Sequence, residues 1–292
     1  MRSKEEMLSL ILSVAEKDPR VRAVAMNGSR VEPDATQDVF QDFDILYFVT
    51  EMESFFQDPT WIDVFGELMV MQLPDVIDNL VSPDNHFAYL MQFQDGNRID
   101  LSLIPLHQAH VLGGNYGRGI ILLDKDGGAE RYLTADPNEF IIKKPTKKEY
   151  DDACSEFWWV TPYVAKGIWR GQLPYAMHMY YIAHAMLEHM TRWHIGKKKN
   201  YGVTTGNAAK YFEKYLSAEK WTCYQKTYPA GAYDSIWTAL FVMCDLFRDF
   251  SIPLAEEAGS TYPFLYDENV MAHLRYVKTL PQDATELYPA RK

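Results

Sequence analysis

Three aspartates and a Gly-Ser pair are the residues of this chain whose types and spacing could do chemistry. Gly28-Ser29 closes an apolar run from Val21 to Met26, and thirteen residues beyond Ser29 come Asp42 and Asp44, at the head of a second run, Ile45 to Val49. In a strand, residues two apart point to the same side, so Asp42 and Asp44 present their carboxylates together. Such a pair is costly to hold close unless a cation neutralises it. Mg²⁺ suits the task, because it is a hard ion that takes carboxylate and phosphate oxygens together. The Gly-Ser turn offers the complement: glycine has no Cβ, so backbone N–H groups and a hydroxyl can approach a phosphate. Alone, an Asp-x-Asp is usually a solvated strand end and a Gly-Ser an ordinary turn. A third carboxylate changes the balance. The stretch Arg98 to Ile104 alternates as a strand, and Asp100 shares a face with Arg98, Ser102 and Ile104, while Ile99, Leu101 and Leu103 face the other way.

The elements that must hold these groups are legible as patterns. Ser3 with Glu6 is a capping box opening a helix over 3–17, and Asp18-Pro19 ends it. Strands are expected over 21–27 and 43–50, with a polar loop over 31–41 between them and a short helical turn after Ser29. A short helix over 60–65, strands over 67–73 and 87–93, the hairpin signal Asp95-Gly96 and a strand from Gly119 to Leu123 follow. Near residue 146 the character changes. Thr146 with Glu149 is a second capping box leading into a helix over 147–170. A helix over 174–195 should stop at Gly196, and further helices are expected around 206–216, 232–250 and 266–278. The division is therefore an α/β (α+β) domain with a mixed sheet over 1–145, then an all-α helical-bundle domain over 146–292.

Bulk properties narrow the partners. Of 292 residues, 47% are hydrophobic and 14% aromatic, enough for a sizeable core. A net charge of −11 makes nucleic acid an unsuitable partner and favours a cationic small molecule. No apolar run approaches the roughly 20 residues that span a bilayer, and the charged start Met-Arg-Ser-Lys-Glu-Glu lacks a signal-peptide core. Three dispersed cysteines, Cys154, Cys223 and Cys244, suit a reducing cytoplasm. The histidines at 178, 184, 189 and 194 are spaced 6, 5 and 5, which does not stack them on one helical face for zinc. The glycine-rich stretch 113–119 lacks the dinucleotide pattern and reads as a flexible loop.

A Gly-Ser turn, an Asp-x-Asp strand and a lone Asp after a hairpin resemble the signature of the polymerase-β-like nucleotidyltransferase superfamily. Within it, the chain is similar to the aminoglycoside 6-adenylyltransferases at Asn27-Gly28-Ser29-Arg30, Gln41-Asp42-Phe43-Asp44-Ile45, Arg98-Ile99-Asp100-Leu101, Leu122 to Gly127, Glu156-Phe157-Trp158, Thr161 to Gly167, Trp169 to Leu173 and Trp237 to Phe241. The resemblance spans nearly the whole chain and implies transfer of AMP from Mg-ATP to the 6-hydroxyl of streptomycin, with release of pyrophosphate. An alcohol oxygen would attack the α-phosphorus in line, between two Mg²⁺ ions roughly 3.5–4 Å apart. Asp42 and Asp44 would bridge the ions, and Asp100 would complete the one nearer the hydroxyl and accept its proton. Gly28 and Ser29 would hold the β- and γ-phosphates. Arg30, Arg98 and Lys210 are the candidates for offsetting the triphosphate charge; for Arg98, pairing with Asp100 or another acid is the equal alternative. Where the family carries Gly-Lys near its third C-terminal helix, this chain has Gly206-Asn207, with Lys210 following.

The acceptor would be a guanidinium-bearing cation facing carboxylates and aromatic rings. Trp158, Glu156, Tyr163 and Glu188 are the expected contacts, with Asp152, Trp159 and Trp169 also available. Two other functions share the scaffold: a nucleotidyltransferase acting on a protein or another metabolite, and an inert nucleotidyltransferase-like binding module. The presence of all three carboxylates weighs against the inert form.

Overall fold

The structure is a computed structural model that describes residues 1–32, 35–133 and 140–288. Pro33 and Asp34 of the expected 31–41 loop lie outside the described residues. Two compact units emerge, Met1–Glu139 and Phe140–Lys292.

The first unit opens with helix α1 (Lys4–Lys17). Ser3 caps it by accepting from the Glu6 N–H, while the Glu6 carboxylate takes the Ser3 N–H at 2.7 Å, so two orphan donors are satisfied reciprocally. Strand β1 (Val21–Asn27) and strand β2 (Phe43–Val49) pair antiparallel. Two short helices, α2 (Glu53–Gln57) and, beyond strand β3 (Leu68–Gln72), α3 (Pro74–Ile77), punctuate the path to strand β4 (Phe87–Phe93). Strand β5 (Arg98–Pro105) returns through the Asp95-Gly96 turn, helix α4 (Ala109–Leu112) crosses over, and strand β6 (Ile120–Asp124) completes the sheet. The order is β3-β4-β5-β2-β1-β6, mixed because β2 and β5 run parallel. β3 is an edge strand, and its Met69 and Val70 are exposed.

Alternation assigns the two faces of the sheet different work. Phe43, Ile45, Tyr47, Ile99, Leu101 and Leu103 join α1 residues Met7 and Ile11 in the larger core. The Tyr47 hydroxyl donates to the Ile11 carbonyl at 2.5 Å and ties α1 to that face. Ala23, Ala25, Leu46, Phe48 and Ile104 form a smaller cluster on the other face. The continuation of that second face, toward the start of β2 and β5, carries Asp44 and Asp100.

The second unit consists of helices α5 (Lys147–Trp169), α6 (Leu173–Lys198), the single turn α7 (Phe212–Tyr215), α8 (Ala218–Gln225), α9 (Tyr233–Ala255) and α10 (Phe264–Thr279). Thr146 and Glu149 cap α5 as a capping box. Pro162 sits inside α5 and offers no N–H to the Trp158 carbonyl; the Thr161 hydroxyl donates to that carbonyl instead, at 3.4 Å. Gly196 does not stop α6, which runs two residues further, to Lys198. Its glycine answers a packing demand: a Cβ there would lie 2.8 Å from the Tyr201 ring and 2.9 Å from Ile142. Helix α9 likewise runs through Pro253, which falls in its last turn. The core is continuous across α5, α6, α9 and α10, and includes Phe157 stacked on Phe247 at 3.7 Å. Among the described residues, no helix is long and apolar enough to cross a membrane.

Candidate active site

Two registers assemble the acidic cluster. In the parallel pair, Asp44 of β2 lies opposite Asp100 of β5, so their side chains leave the same face at the same level. Asp42 immediately precedes β2 and projects to that side as well. One ligand oxygen from each of Asp42, Asp44 and Asp100 lies within 4.8 Å of the other two, and among the described residues this is the one such group of three. Crowding shows in the electrostatics. Burial, aided by the neighbouring charges of Asp42 and Asp100, pushes the Asp44 carboxyl up to about 7. A half-buried carboxylate facing two more is a set of hard oxygen donors short of positive charge, which fits a divalent ion such as Mg²⁺. The residues present therefore suit the metal expected for this chemistry.

The Gly-Ser turn lies directly against the cluster. Gly28–Arg30 form one turn of 3-10 helix, whose Gly28 carbonyl accepts from the Val31 N–H at 3.1 Å. Gly28 adopts φ of +70°, and a Cβ at this position would sit 1.9 Å from Asp44 Oδ2. Glycine is thus required twice, by its backbone conformation and by the approach of Asp44. Gln41 holds the turn from across the loop: its Nε2 donates to the Ser29 carbonyl at 3.0 Å and lies 3.4 Å from the Ser29 hydroxyl. Arg30, expected at phosphate, is engaged otherwise. Its guanidinium donates to the carbonyls of Asp42 and Gln41 at 2.7 and 2.6 Å and stacks 3.8 Å over the Phe43 ring. It braces the segment that presents Asp42.

Arg98 faces the cluster itself. Its Nε and one terminal nitrogen donate to the two oxygens of Asp100 at 2.7 and 2.6 Å, and its Nε lies 3.7 Å from Asp42. The ion pair with Asp100 raises the Arg98 pKa. Two neighbours carried no assigned role at the level of sequence. Asn27 stands opposite Asp44 in the β1–β2 register, donates to the Tyr116 carbonyl at 2.7 Å, and keeps its own Oδ1 buried without a hydrogen-bond partner among the described residues. Residues Gly113–Tyr116 form a 3-10 turn with Gly113 packed so closely that a Cβ would meet the Tyr132 carbonyl at 2.2 Å. This stretch is a packed support for β1 where a flexible loop was expected. The available signals were the position of Asn27 as the last residue of its strand and its place in the family-like segment Asn27-Gly28-Ser29-Arg30.

The remaining candidates belong to the helical unit. Trp158 is 2% exposed and packs against Phe157 and Phe247 in the core. It is not available to a ligand, because it shares the inner face of α5 with Cys154, Phe157 and Thr161. Glu156 is exposed and lines a groove of about 520 Å³ with Glu149, Asp152, Met186, His189 and Trp193. Tyr163 lies in a different hollow, with Lys166 Nζ 4.3 Å from its ring centre. Glu188 accepts from Arg192 at 2.7 Å, and Arg192 in turn donates to the Thr205 hydroxyl, fastening the chain that leaves α6. Lys210 is exposed and follows Ala208 and Ala209, both left-handed at φ +50° and +61°.

A mixed sheet of this order, carrying three convergent carboxylates beside a Gly-Ser turn and followed by a helical unit, defines a nucleotidyltransferase. The profile of the streptomycin adenylyltransferase family matches residues 1–277. Similar proteins include the aminoglycoside 6-adenylyltransferase of Bacillus subtilis (strain 168), 38% identical over 274 residues, covering 92% of this chain and 96% of that one. The aminoglycoside 6-adenylyltransferase of Campylobacter jejuni is 35% identical over 271 residues, covering 92% and 94%. Among solved structures, an aminoglycoside 6-adenyltransferase from Bacillus subtilis is 34% identical over 96% of this chain and all of the other, with a TM-score of 0.47. The chain belongs to the streptomycin adenylyltransferase family.

Proposed function

We propose that this chain transfers AMP from Mg-ATP to a hydroxyl of an aminoglycoside, the 6-hydroxyl of streptomycin in the first instance, and releases pyrophosphate. The observation that supports it most directly is the meeting of Asp42, Asp44 and Asp100 within 4.8 Å, beside a turn that only glycine can make. These three carboxylates would hold the metal, two ions in our reading; when bound, Mg²⁺ would draw negative charge from the α-phosphate and from the attacking hydroxyl.

The chain's own residues supply the rest. Asp100 accepts the hydroxyl proton directly or through one water. The alcohol oxygen forms a bond to the α-phosphorus as the bond to the bridging oxygen breaks, and the electron pair leaves with pyrophosphate. The Ser29 hydroxyl and the N–H groups of the Gly28–Arg30 turn hold the departing phosphates, oriented by Gln41. On the helical unit, the groove of Glu149, Asp152 and Glu156 is the acidic surface that suits a guanidinium-bearing acceptor, with Trp193 offering a face to a sugar ring. ATP as co-substrate and free thiols at Cys154, Cys223 and Cys244 agree with work in the cytoplasm.

The test is direct. The purified chain, given ATP, Mg²⁺ and streptomycin, should release pyrophosphate and yield a drug heavier by one adenylyl group. Asp42→Asn should reduce both to background while the circular dichroism spectrum is retained. Full activity in that variant would remove Asp42 from the metal role, and no turnover with any aminoglycoside would move the acceptor to a protein or another metabolite.

A further inference from the structure

We propose that Arg98 is a resident counter-ion of the acidic cluster, standing where positive charge is needed before the metal arrives and releasing Asp100 to it. This inference rests on the functional reading above. Arg98 and Asp100 are two residues apart on one face of β5, so the strand itself sets them side by side. The guanidinium fork takes both oxygens of Asp100, at 2.7 and 2.6 Å, and reaches toward Asp42 at 3.7 Å. Any ion that takes an Asp100 oxygen therefore competes with Arg98 for it. Asp44 is placed differently. Among the described residues no cation lies within ion-pair distance of it, Arg98 and Arg30 acting on it only at longer range, so a metal taking its oxygens has no ion pair to break there.

Arg98 is also built to leave. Its side chain is 45% exposed, and it has no donor engaged elsewhere among the described residues. A planar fork released from one carboxylate is matched in geometry to phosphate oxygens. The anion that comes with the ion is the triphosphate. The exchange leaves no charge without a partner: the cluster loses a guanidinium as it gains a divalent ion, and the guanidinium finds the anion delivered with that ion. Metal alone then binds weakly, because it must displace Arg98 with nothing to receive it. Metal with nucleotide binds well. Arg98 is in this sense a positioning residue that couples the two ligands.

The test uses Mn²⁺ as the probe, titrated into the metal-free full-length protein without nucleotide, with free Mn²⁺ followed by electron paramagnetic resonance. Arg98→Ala should bind Mn²⁺ about two- to fivefold more tightly than the parent, the affinity equivalent of a partly exposed ion pair. Arg98→Gln, which keeps the length and removes the charge, should do the same, and Arg98→Lys should fall between. ATP added with Mn²⁺ should tighten Mn²⁺ binding less in Arg98→Ala than in the parent. Equal or weaker Mn²⁺ binding in both neutral variants would mean that Arg98 supports the site and would overturn the proposal. The control is Asp44→Asn. If the parent binds Mn²⁺ and Asp44→Asn does not, the metal reading stands and the Arg98 result is judged alone. If the parent binds none, both readings fall together.

Discussion

At the scale of single residues, Asp44 concentrates the electrostatic cost of the site. Its carboxyl is pushed up to about 7 by burial and by Asp42 and Asp100. In the unfolded chain it would titrate near its ordinary value of 3.8. On raising the pH from about 4 to about 7, the unfolded chain gives up this proton first, so the metal-free folded state loses stability across that window. Asp44→Asn removes the effect. Its metal-free melting temperature should exceed the parent's at pH 8 and match it near pH 4, while adenylyl transfer is lost; an unchanged or lower value at pH 8 would show that the crowding is already relieved. Gly28 and Arg30 show how closely the neighbourhood is fitted, one by having no Cβ and the other by bracing the Asp42 carbonyl. Side-chain identity told that these positions mattered. It could not tell that Arg30 would turn to backbone carbonyls, because that choice depends on where the 31–41 segment returns.

At the scale of elements, local rules carried far and failed where contacts are long-range. Both capping boxes, at Ser3 and Thr146, were legible because every partner lies within three residues. The alternation of β5 told which side Asp100 faces. The parallel register that sets Asp44 against Asp100 was not legible, since β2 and β5 are separated by two other strands in the chain and nothing local fixes their alignment. Trp158 was misread for a related reason: a family likeness drew attention to it, although a helical period places it with Cys154 and Phe157 on the inner face, while Trp159 is 66% exposed. Gly196 looked like a stop signal and is a packing contact. Gly167 plays the same part where α5 meets α6. A Cβ there would lie 2.9 Å from the Ala176 Cα and 3.0 Å from its backbone nitrogen. Replacing glycine by alanine inside a helix normally gains up to about 1 kcal/mol. Here the obstacle is backbone, which cannot turn aside, and overpacking of about 1–3 kcal/mol should win. Gly167→Ala should therefore lower the urea midpoint of unfolding, and a raised midpoint would show that the helices can part at little cost.

At the scale of the whole molecule, the chain carries two cores with separate pH responses. The sheet unit becomes less stable as the pH rises through the range of Asp44. The helical unit should do the opposite. His194 lies 4.3 Å from the Phe250 ring, and burial, together with Lys198, Lys220 and Lys197, lowers its pKa to about 4, with Asp249 opposing. Because the unfolded chain takes up this proton near pH 6.5, stability is lost as the pH falls from about 6.5 to about 4. His194→Gln should flatten that acid limb in thermal melts, whereas an unaltered limb would assign it to other groups. The change of character near residue 146 told that two kinds of structure follow one another, and composition told that each could bury a core. The charges that set the two limbs depend on which side chains the folded chain encloses.

The sheet has one margin with little to protect it. Along β3, the methionine and valine at 69 and 70 face water beside backbone groups left over for pairing. Such a border invites a like strand from another molecule, and natural sheets usually deter this with a lysine or a proline. Crowded, freshly synthesised chains would therefore adhere along this border before any loss of the native fold, so concentration should limit the yield of usable protein sooner than heat does.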